Sequence, residues 1–382
     1  MGLKTLLFPS GLFLLLLIGC SSGDSPIEAE TLTVDQRDEL PSVHFSNLIS
    51  EDLEIVPLEN FDREGNPIYF RSINRLAYFN REFFILDYLS NQNILVFEID
   101  GKYNRSIGFR GDGPGGYKQP MDFHLSEEEI EVLDFGKVLS YDLEGNYIDS
   151  RKTSIFMAHG FEKLVNGYAF IGAGRDMDNL ILTNDQLEFE NSFFPYHTRA
   201  LNLMMINPLY KNFQGKTIYR RHLNDTIFHV VNFEKPKPYI YIDFKQKKSN
   251  INELLASENI EQAVLLAEKK HCIIMSFYET ENYKFLIFSL EGERWNYIHS
   301  ESTKESKLFR QSNLIDEVTF DPNAMPIGVI GNKFVFKARP DRVLAGIESY
   351  QFPTPHFQKL EALESYMDPE GNPVLFLVEF DF

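Results

Sequence analysis

The sequence is 382 residues long and carries a formal net charge of −19 at pH 7, with 34 Phe, 18 Tyr and a single Trp. A chain this acidic is a poor partner for nucleic acid and is repelled by an anionic bilayer surface. Its length calls for two domains or for one large repetitive one.

The chain opens MGLKTLLFPSGLFLLLLIGC, with one Lys4 ahead of an apolar run that ends in Leu12 to Ile18. That run is shorter than the roughly 20 apolar residues a spanning helix needs. Its proportions are those of a secretory signal, assigned to residues 1–19. Leu17-Ile18-Gly19-Cys20 resembles the bacterial lipobox. The resemblance implies a lipid on the Cys20 thiol, cleavage before Cys20, and attachment to the outer membrane of a cell envelope, on its periplasmic or its surface side. Residues 20–45 are then expected to form an acidic flexible tether, since Ser21 to Leu40 are polar and free of aromatics. Acidic residues soon after the cysteine also resemble the surface-export signals of some Gram-negative lipoproteins, as any solvated linker would. Cys272 is the only other cysteine, so an acylated Cys20 leaves no intramolecular disulfide. In the run Cys-Ile-Ile-Met it reads as a small buried hydrophobe.

From Ile73 onward short strands alternate with turn residues. Strands are predicted over 73–79, 83–88, 93–99 and 103–108, then over 121–126, 130–134, 138–143 and 147–152. The two groups align: Phe83-Phe-Ile-Leu-Asp87 matches Ile130-Glu-Val-Leu-Asp134, and Val96 to Tyr103 matches Ser140 to Tyr147. Phe97 and Tyr141 lie about 44 positions apart, which is the spacing of propeller blades. Looser units follow at 161–165, 168–174 and 180–193; at 217–222, 226–232 and 238–244; and at 272–280, 283–290 and 295–300. Segments 329–338 and 374–382 supply a sixth. Residues 251–269 break the pattern with apolar residues at helical spacing, and are predicted as a helical insertion covering a sheet edge or one mouth of the ring.

A four-stranded blade that is apolar on both faces cannot bury them alone. Stacking blades around an axis buries each face against a neighbour, and closing the circle removes the end blades. The predicted fold is therefore all-β, a six-bladed β-propeller of four-stranded antiparallel blades over residues 46–382. Closure falls to the chain ends. Val374 to Phe382 alternates Phe376, Val378, Phe380 and Phe382 against Leu375 and Leu377, and a strand so apolar must be covered. Leu53 to Glu59 is the predicted outer strand of that composite blade, with Pro57 at a strand end or sheet edge.

Several segments together resemble the Bacteroides-type six-bladed β-propeller lipoproteins, which are related to NHL-repeat propellers. They are the lipobox, the acidic tether, Ile55-Val-Pro-Leu-Glu59, Phe84-Ile-Leu-Asp87, Val96 to Tyr103, and Ile107-Gly-Phe-Arg-Gly-Asp-Gly-Pro-Gly-Gly-Tyr117; Asn224-Asp-Thr-Ile-Phe228 also fits. The family pattern has Glu where this chain has Gly116. The resemblance runs from about Leu53 to the C-terminus and implies a fold and an envelope location, but no particular reaction.

The glycine-rich stretch lacks the Lys-Ser/Thr of a phosphate loop, and no helix follows it. It reads as a crossover between blades in which Gly111, Gly113 and Gly115 serve the backbone. Because such loops border the central channel, Arg110, Asp112 and Tyr117 form a candidate ligand site, with Arg110-Gly111-Asp112 also an adhesion-like tripeptide. Asp62-Arg-Glu-Gly-Asn-Pro67 and Asp368-Pro-Glu-Gly-Asn-Pro373 lack the alternating carboxylates of a calcium loop and read as turns. Nine scattered histidines show no metal-binding spacing, though one per blade could meet at an axial metal, as in NHL-like lyases. No Gly-x-Ser-x-Gly elbow occurs, and no cofactor motif is found. Two function classes follow: a binding or scaffolding module for a glycan, peptide or envelope protein, and a metal-assisted lyase or hydrolase.

Overall fold

Phe83 and Ile85 pack on one side of their strand while Phe84 and Leu86 pack on the other, each pair in a different buried cluster. A strand buried on both faces needs a neighbouring sheet on each side, and this requirement sets the architecture. The computed structural model describes residues 29–382 except 157, 173–177, 196–206, 222–223, 246, 248–255, 257–261, 263–264, 267–268 and 351–354. It is a six-bladed β-propeller, each blade built on a four-stranded antiparallel sheet.

Blade 1 comprises Arg75–Phe79, Glu82–Asp87, Asn93–Glu98 and Tyr103–Ile107. Blade 2 comprises Asp122–Leu125, Ile130–Asp134, Lys137–Tyr141 and Tyr147–Lys152. These match the predicted strands to within two residues. Blade 3 runs from Ala158–Leu164 through Gly167–Gly172 and Asp178–Asn184 to Phe189–Pro195. Its last two strands were expected as one segment. They are separated by a turn in which Leu187, at φ 64°, takes the left-handed position that Gly101 and Gly145 occupy in blades 1 and 2. Leu187 is buried among Phe161, Phe170 and Ile181, and that burial offsets the backbone strain which hid the turn.

Blade 4 holds Leu209–Lys211, Thr217–Tyr219, Thr226–Val230 and Lys237–Asp243. Blade 5 holds Ile273–Glu279, Tyr283–Leu290, Glu293–Ser300 and Ser306–Arg310. Blade 6 is composite. Met325–Ile330, Lys333–Ala338 and Val374–Val378 come from the C-terminal part, and Glu54–Pro57 pairs antiparallel with Val374–Val378 as its outer strand. The predicted closure is thus observed, with Pro57 as the last residue of the edge strand. Asn372, only 3% exposed, locks the closure. Its side chain donates to Glu59 O and Ile68 O and accepts from Phe70 N at 2.9 Å.

Residues 30–45 correct the expected tether. Glu30–Thr33 adds a fifth, parallel strand to the outer edge of blade 4, with Leu32 opposite Ile242. Glu39 then bridges Leu308 at the edge of blade 5, and Val43–His44 pairs with Leu314–Ile315. Leu32 and Val34 are buried, so two apolar residues at period two suffice to seat an otherwise acidic segment. The N-terminal segment is a belt around blades 4 to 6.

Two helices were not predicted, Pro340–Ser349 and Pro355–Glu361. Pro340 opens the first, Val343 and Ile347 face inward, and Gly346 lies where a Cβ would fall 2.1 Å from the Phe320 ring. In the second, Lys359 donates to Leu53 O at 3.0 Å and the His356 ring contacts Ser50 O at 3.0 Å, tying the helix to the belt. Of the predicted insertion at 251–269, Gln262, Leu265, Leu266 and Lys269 are helical, and most of the remainder lies outside the described residues.

Candidate functional site

The innermost strands of the blades adjoin one another around the axis. Blades 1 to 4 each send a charged side chain toward it. Arg75, the first residue of its strand, reaches past blade 2 to pair with Glu162 of blade 3, and its Nη1 donates to Leu209 O of blade 4 at 2.8 Å. Its Nε lies 3.7 Å from Asp122 Oδ1 of blade 2. Glu162 is wholly buried, and its second carboxylate oxygen is 2.9 Å from His124 Nδ1. Asp122 accepts from Phe161 N at 3.0 Å, which closes the link between blades 2 and 3.

The electrostatics follow from this geometry. Burial alone would raise the Glu162 pKa, but Arg75 and then the His124 hydrogen bond outweigh it and hold the group at about 2. Asp122 has the weaker contact to Arg75, and burial pushes it up to about 6. Burial lowers the pKa of the Lys211 amine, which donates to Thr217 Oγ1 at 2.7 Å. A carboxylate that fixes an imidazole through Nδ1–H leaves Nε2 as an acceptor, the arrangement of a general base. Here, however, the same carboxylate also neutralises a buried guanidinium. Among the described residues no group of three or more His, Cys, Asp or Glu is placed to hold a metal ion.

Between blades 4 and 5 and between blades 5 and 6 the bridges run mainly to backbone carbonyls, from the buried Arg220 guanidinium to Met275 O at 2.9 Å and from two tyrosines. Tyr210 Oη donates to Phe277 O at 2.6 Å between blades 4 and 5, and Tyr278 Oη to Ile327 O at 3.1 Å between blades 5 and 6. Burial raises Glu279, which accepts from Asn212 at 2.8 Å and from Tyr239 at 2.9 Å.

The glycine-rich crossover is placed as expected, between the outer strand of blade 1 and the inner strand of blade 2. Its three candidate ligand residues do not converge. Tyr117 is fully buried in the core between blades 1 and 2, where its hydroxyl donates to Ile107 O at 2.9 Å. Arg110 is exposed, and Asp112 is exposed beside Lys118 at 3.4 Å. Tyr117 is a core residue because the loop folds back on itself, with Gly111 N donating to Tyr117 O at 3.0 Å. The glycine assignment also shifts. Gly115 has φ 75° and would place a Cβ 2.8 Å from Tyr147 Cβ, and at Gly116 a Cβ would lie 2.5 Å from Gly111 O. Gly113 would accept one at an ordinary 3.6 Å from Phe109. The two Glu-Gly-Asn-Pro segments are turns, as read: Asp62 accepts from Glu64 N and Asn66 N, and Asp368 from Glu370 N.

A cleft of about 400 Å³ opens at the outer rim, on the seam of blades 6 and 1. The chain leaving blade 6, Glu59 to Arg63, forms one wall, and Glu98, Lys102 and Tyr103 of blade 1 form another. Tyr366, 73% exposed, closes it from the C-terminal side, and Phe61 is 49% exposed and edge-on to Tyr69 at 5.9 Å. Glu59 spends one carboxylate oxygen on Tyr103 N at 2.9 Å, while Arg63 is exposed with a loose 3.8 Å contact to Glu98. Neither the cleft nor the axial cluster was singled out in the sequence. Arg75 and Glu162 stand at strand positions of apolar surroundings, and that misfit was the available signal.

This fold and its placement of polar groups define a β-propeller whose first three blades are joined near the axis by buried ion pairs. Residues 29–379 match the family described as Domain of unknown function (DUF4934), and the chain belongs to that family. It is similar in fold to an exported protein of Bacteroides fragilis NCTC 9343, at 17% identity and a TM-score of 0.74, over 92% of this chain and 100% of that one. A looser similarity joins it to virginiamycin B lyase from Staphylococcus aureus, at 12% identity and a TM-score of 0.40, over 75% of this chain and 81% of that one. No curated protein matches the chain. No helix among the described residues is long and apolar enough to cross a membrane.

Proposed function

We propose that this protein is a binding or scaffolding module of the cell envelope, held to the outer membrane by a lipid on Cys20, whose ring engages a glycan, a peptide or an envelope protein. The observation that carries this reading is the contrast between axis and rim. At the axis Arg75, Glu162 and Asp122 are each committed to a partner on another blade. At the rim, exposed rings and the loosely held Arg63 border an open cleft. Groups already satisfied hold a fold together, whereas unsatisfied ones are free to meet a ligand. Cys20→Ala is expected to give a precursor that no longer partitions into detergent. Wild-type protein without acyl label would sink the anchored form of the proposal.

A second reading, a metal-assisted lyase or hydrolase, draws on the His124 imidazole held by Glu162 at the axis. Metal analysis of purified protein separates the two. Stoichiometric zinc or calcium that is lost on His124→Ala would favour the enzyme.

A further inference from the structure

We infer that the rim cleft between blades 6 and 1 is a site for an uncharged saccharide; this deepens the binding-module reading and rests on it. Three features of the cleft converge on that chemistry. The first is its rings. Phe61 and Tyr366 stand exposed at its edges, two aromatic rings that line one cleft and offer their faces to a flat apolar surface. The C–H face of a pyranose is such a surface.

The second is charge. In a chain of net charge −19, the cleft sets three acids, Glu59, Asp62 and Glu98, against two bases, Arg63 and Lys102. So near a balance selects neither a polyanion nor a polycation. It suits hydroxyl groups, each of which donates and accepts. Asp62 is consumed by its own turn and Lys102 is paired with Asp100 at 2.7 Å. The Arg63 guanidinium and the second carboxylate oxygen of Glu59 remain as donor and acceptor on one wall.

The third is size and depth. A volume of about 400 Å³ lies at the small end of ligand sites and suits about one or two sugar rings. Five of the nine lining residues are charged and the apolar ones are aromatic, so the lining offers no aliphatic side chain to anchor one from a peptide, which argues against a peptide occupant.

The test uses the folded lipid-free protein and a panel of uncharged oligosaccharides (gluco-, xylo-, manno- and chito-oligomers), with a heparin fragment and an unstructured peptide library as comparators. Binding is read by calorimetry. At least one uncharged oligosaccharide is expected to bind, and Phe61→Ala and Tyr366→Ala are each expected to weaken it about tenfold with an unchanged melting curve. Arg63→Met should weaken it as well. Saccharide binding that survives both ring variants overturns the site. A peptide or the heparin fragment binding in the saccharides' place, and lost in the same variants, overturns the ligand class while the binding-module reading stands. If nothing in the panel binds, the inference fails, and a partner captured through another face would then keep the binding-module reading alone.

Discussion

Arg75 of blade 1 and Glu162 of blade 3 are ion-paired across the propeller axis, 87 positions apart in the chain and both out of solvent. Such a pair adds little over an apolar substitute, but it is expensive to break from one side, because the buried survivor keeps its charge and loses its strongest partner. Glu162→Gln is therefore expected to cost about 3–5 kcal/mol of stability. The Arg75→Met/Glu162→Leu double variant should recover much of that loss. Chemical denaturation of the wild type, Glu162→Gln, the single variants Arg75→Met and Glu162→Leu, and the double variant checks this. If the double variant is as unstable as the sum of the singles, the pair is not the relevant unit.

The same pair sets the acid limb of stability. Glu162 is held at about 2 in the fold against an ordinary 4.5, so its contribution is complete above about pH 4.5 and is lost as pH falls toward 2. Asp122 has the opposite sign. Its folded value of about 6 lies above the ordinary 3.8, so it weighs against the fold above pH 6 and is relieved as pH falls toward 4. Wild-type stability should hold or rise slightly from pH 6 to 4.5 and then fall steeply. Glu162→Gln should be less stable at neutral pH and show a flatter fall below pH 4.5. Equal acid slopes for the two proteins, measured by denaturation midpoints between pH 3 and 7, would contradict the assignment.

Within the glycine-rich crossover the cost of a side chain should depend on position. Gly115→Ala meets both a left-handed backbone and the Tyr147 side chain, and is expected to lose more than the about 1–2 kcal/mol of backbone strain. Gly113→Ala has room and no left-handed φ, and should be close to neutral. Thermal melts of the two variants decide. A larger loss at Gly113 would mean that the loop is held differently.

Deleting residues 374–382 should abolish cooperative unfolding or solubility. It removes the fully buried strand that sits between Lys333–Ala338 and Glu54–Pro57, and with it the contact that closes the ring. A soluble truncation with a wild-type melting curve would mean that the circle is not a cooperative unit.

The fold was legible because its signal is local. Strand length, period-two alternation and turn residues recur in blades 1 and 2, and an apolar last strand has to find a partner. What escaped was non-local or conformational. Leu187 made a turn without a turn residue, two buried apolar side chains seated a belt that composition marked as solvated, and Pro340–Ser349 lay between the two segments read as a sixth blade, in a stretch given no element. Candidate sites were less legible still. Arg75, Asp122, His124 and Glu162 sit on three blades, and no spacing in the chain announces that they meet. Tyr117 misled because a tyrosine beside glycines suggests a loop surface, while this loop turns inward.

The belt also decides where mechanical load goes. Any pull on the chain ahead of Glu30 arrives first at the parallel ladder between Glu30–Thr33 and the outer strand of blade 4, where Leu32 and Val34 are seated like pegs. Traction along that strand acts on its hydrogen bonds together, in shear, rather than unzipping them singly. The Lys284–Glu30 contact at 2.7 Å ties the same point to blade 5. Tension is thus absorbed on the side of the ring away from the blade 1–2 seam. The noncovalent joint at which the circle is closed lies behind the whole length of the belt, shielded from a pull applied ahead of Glu30.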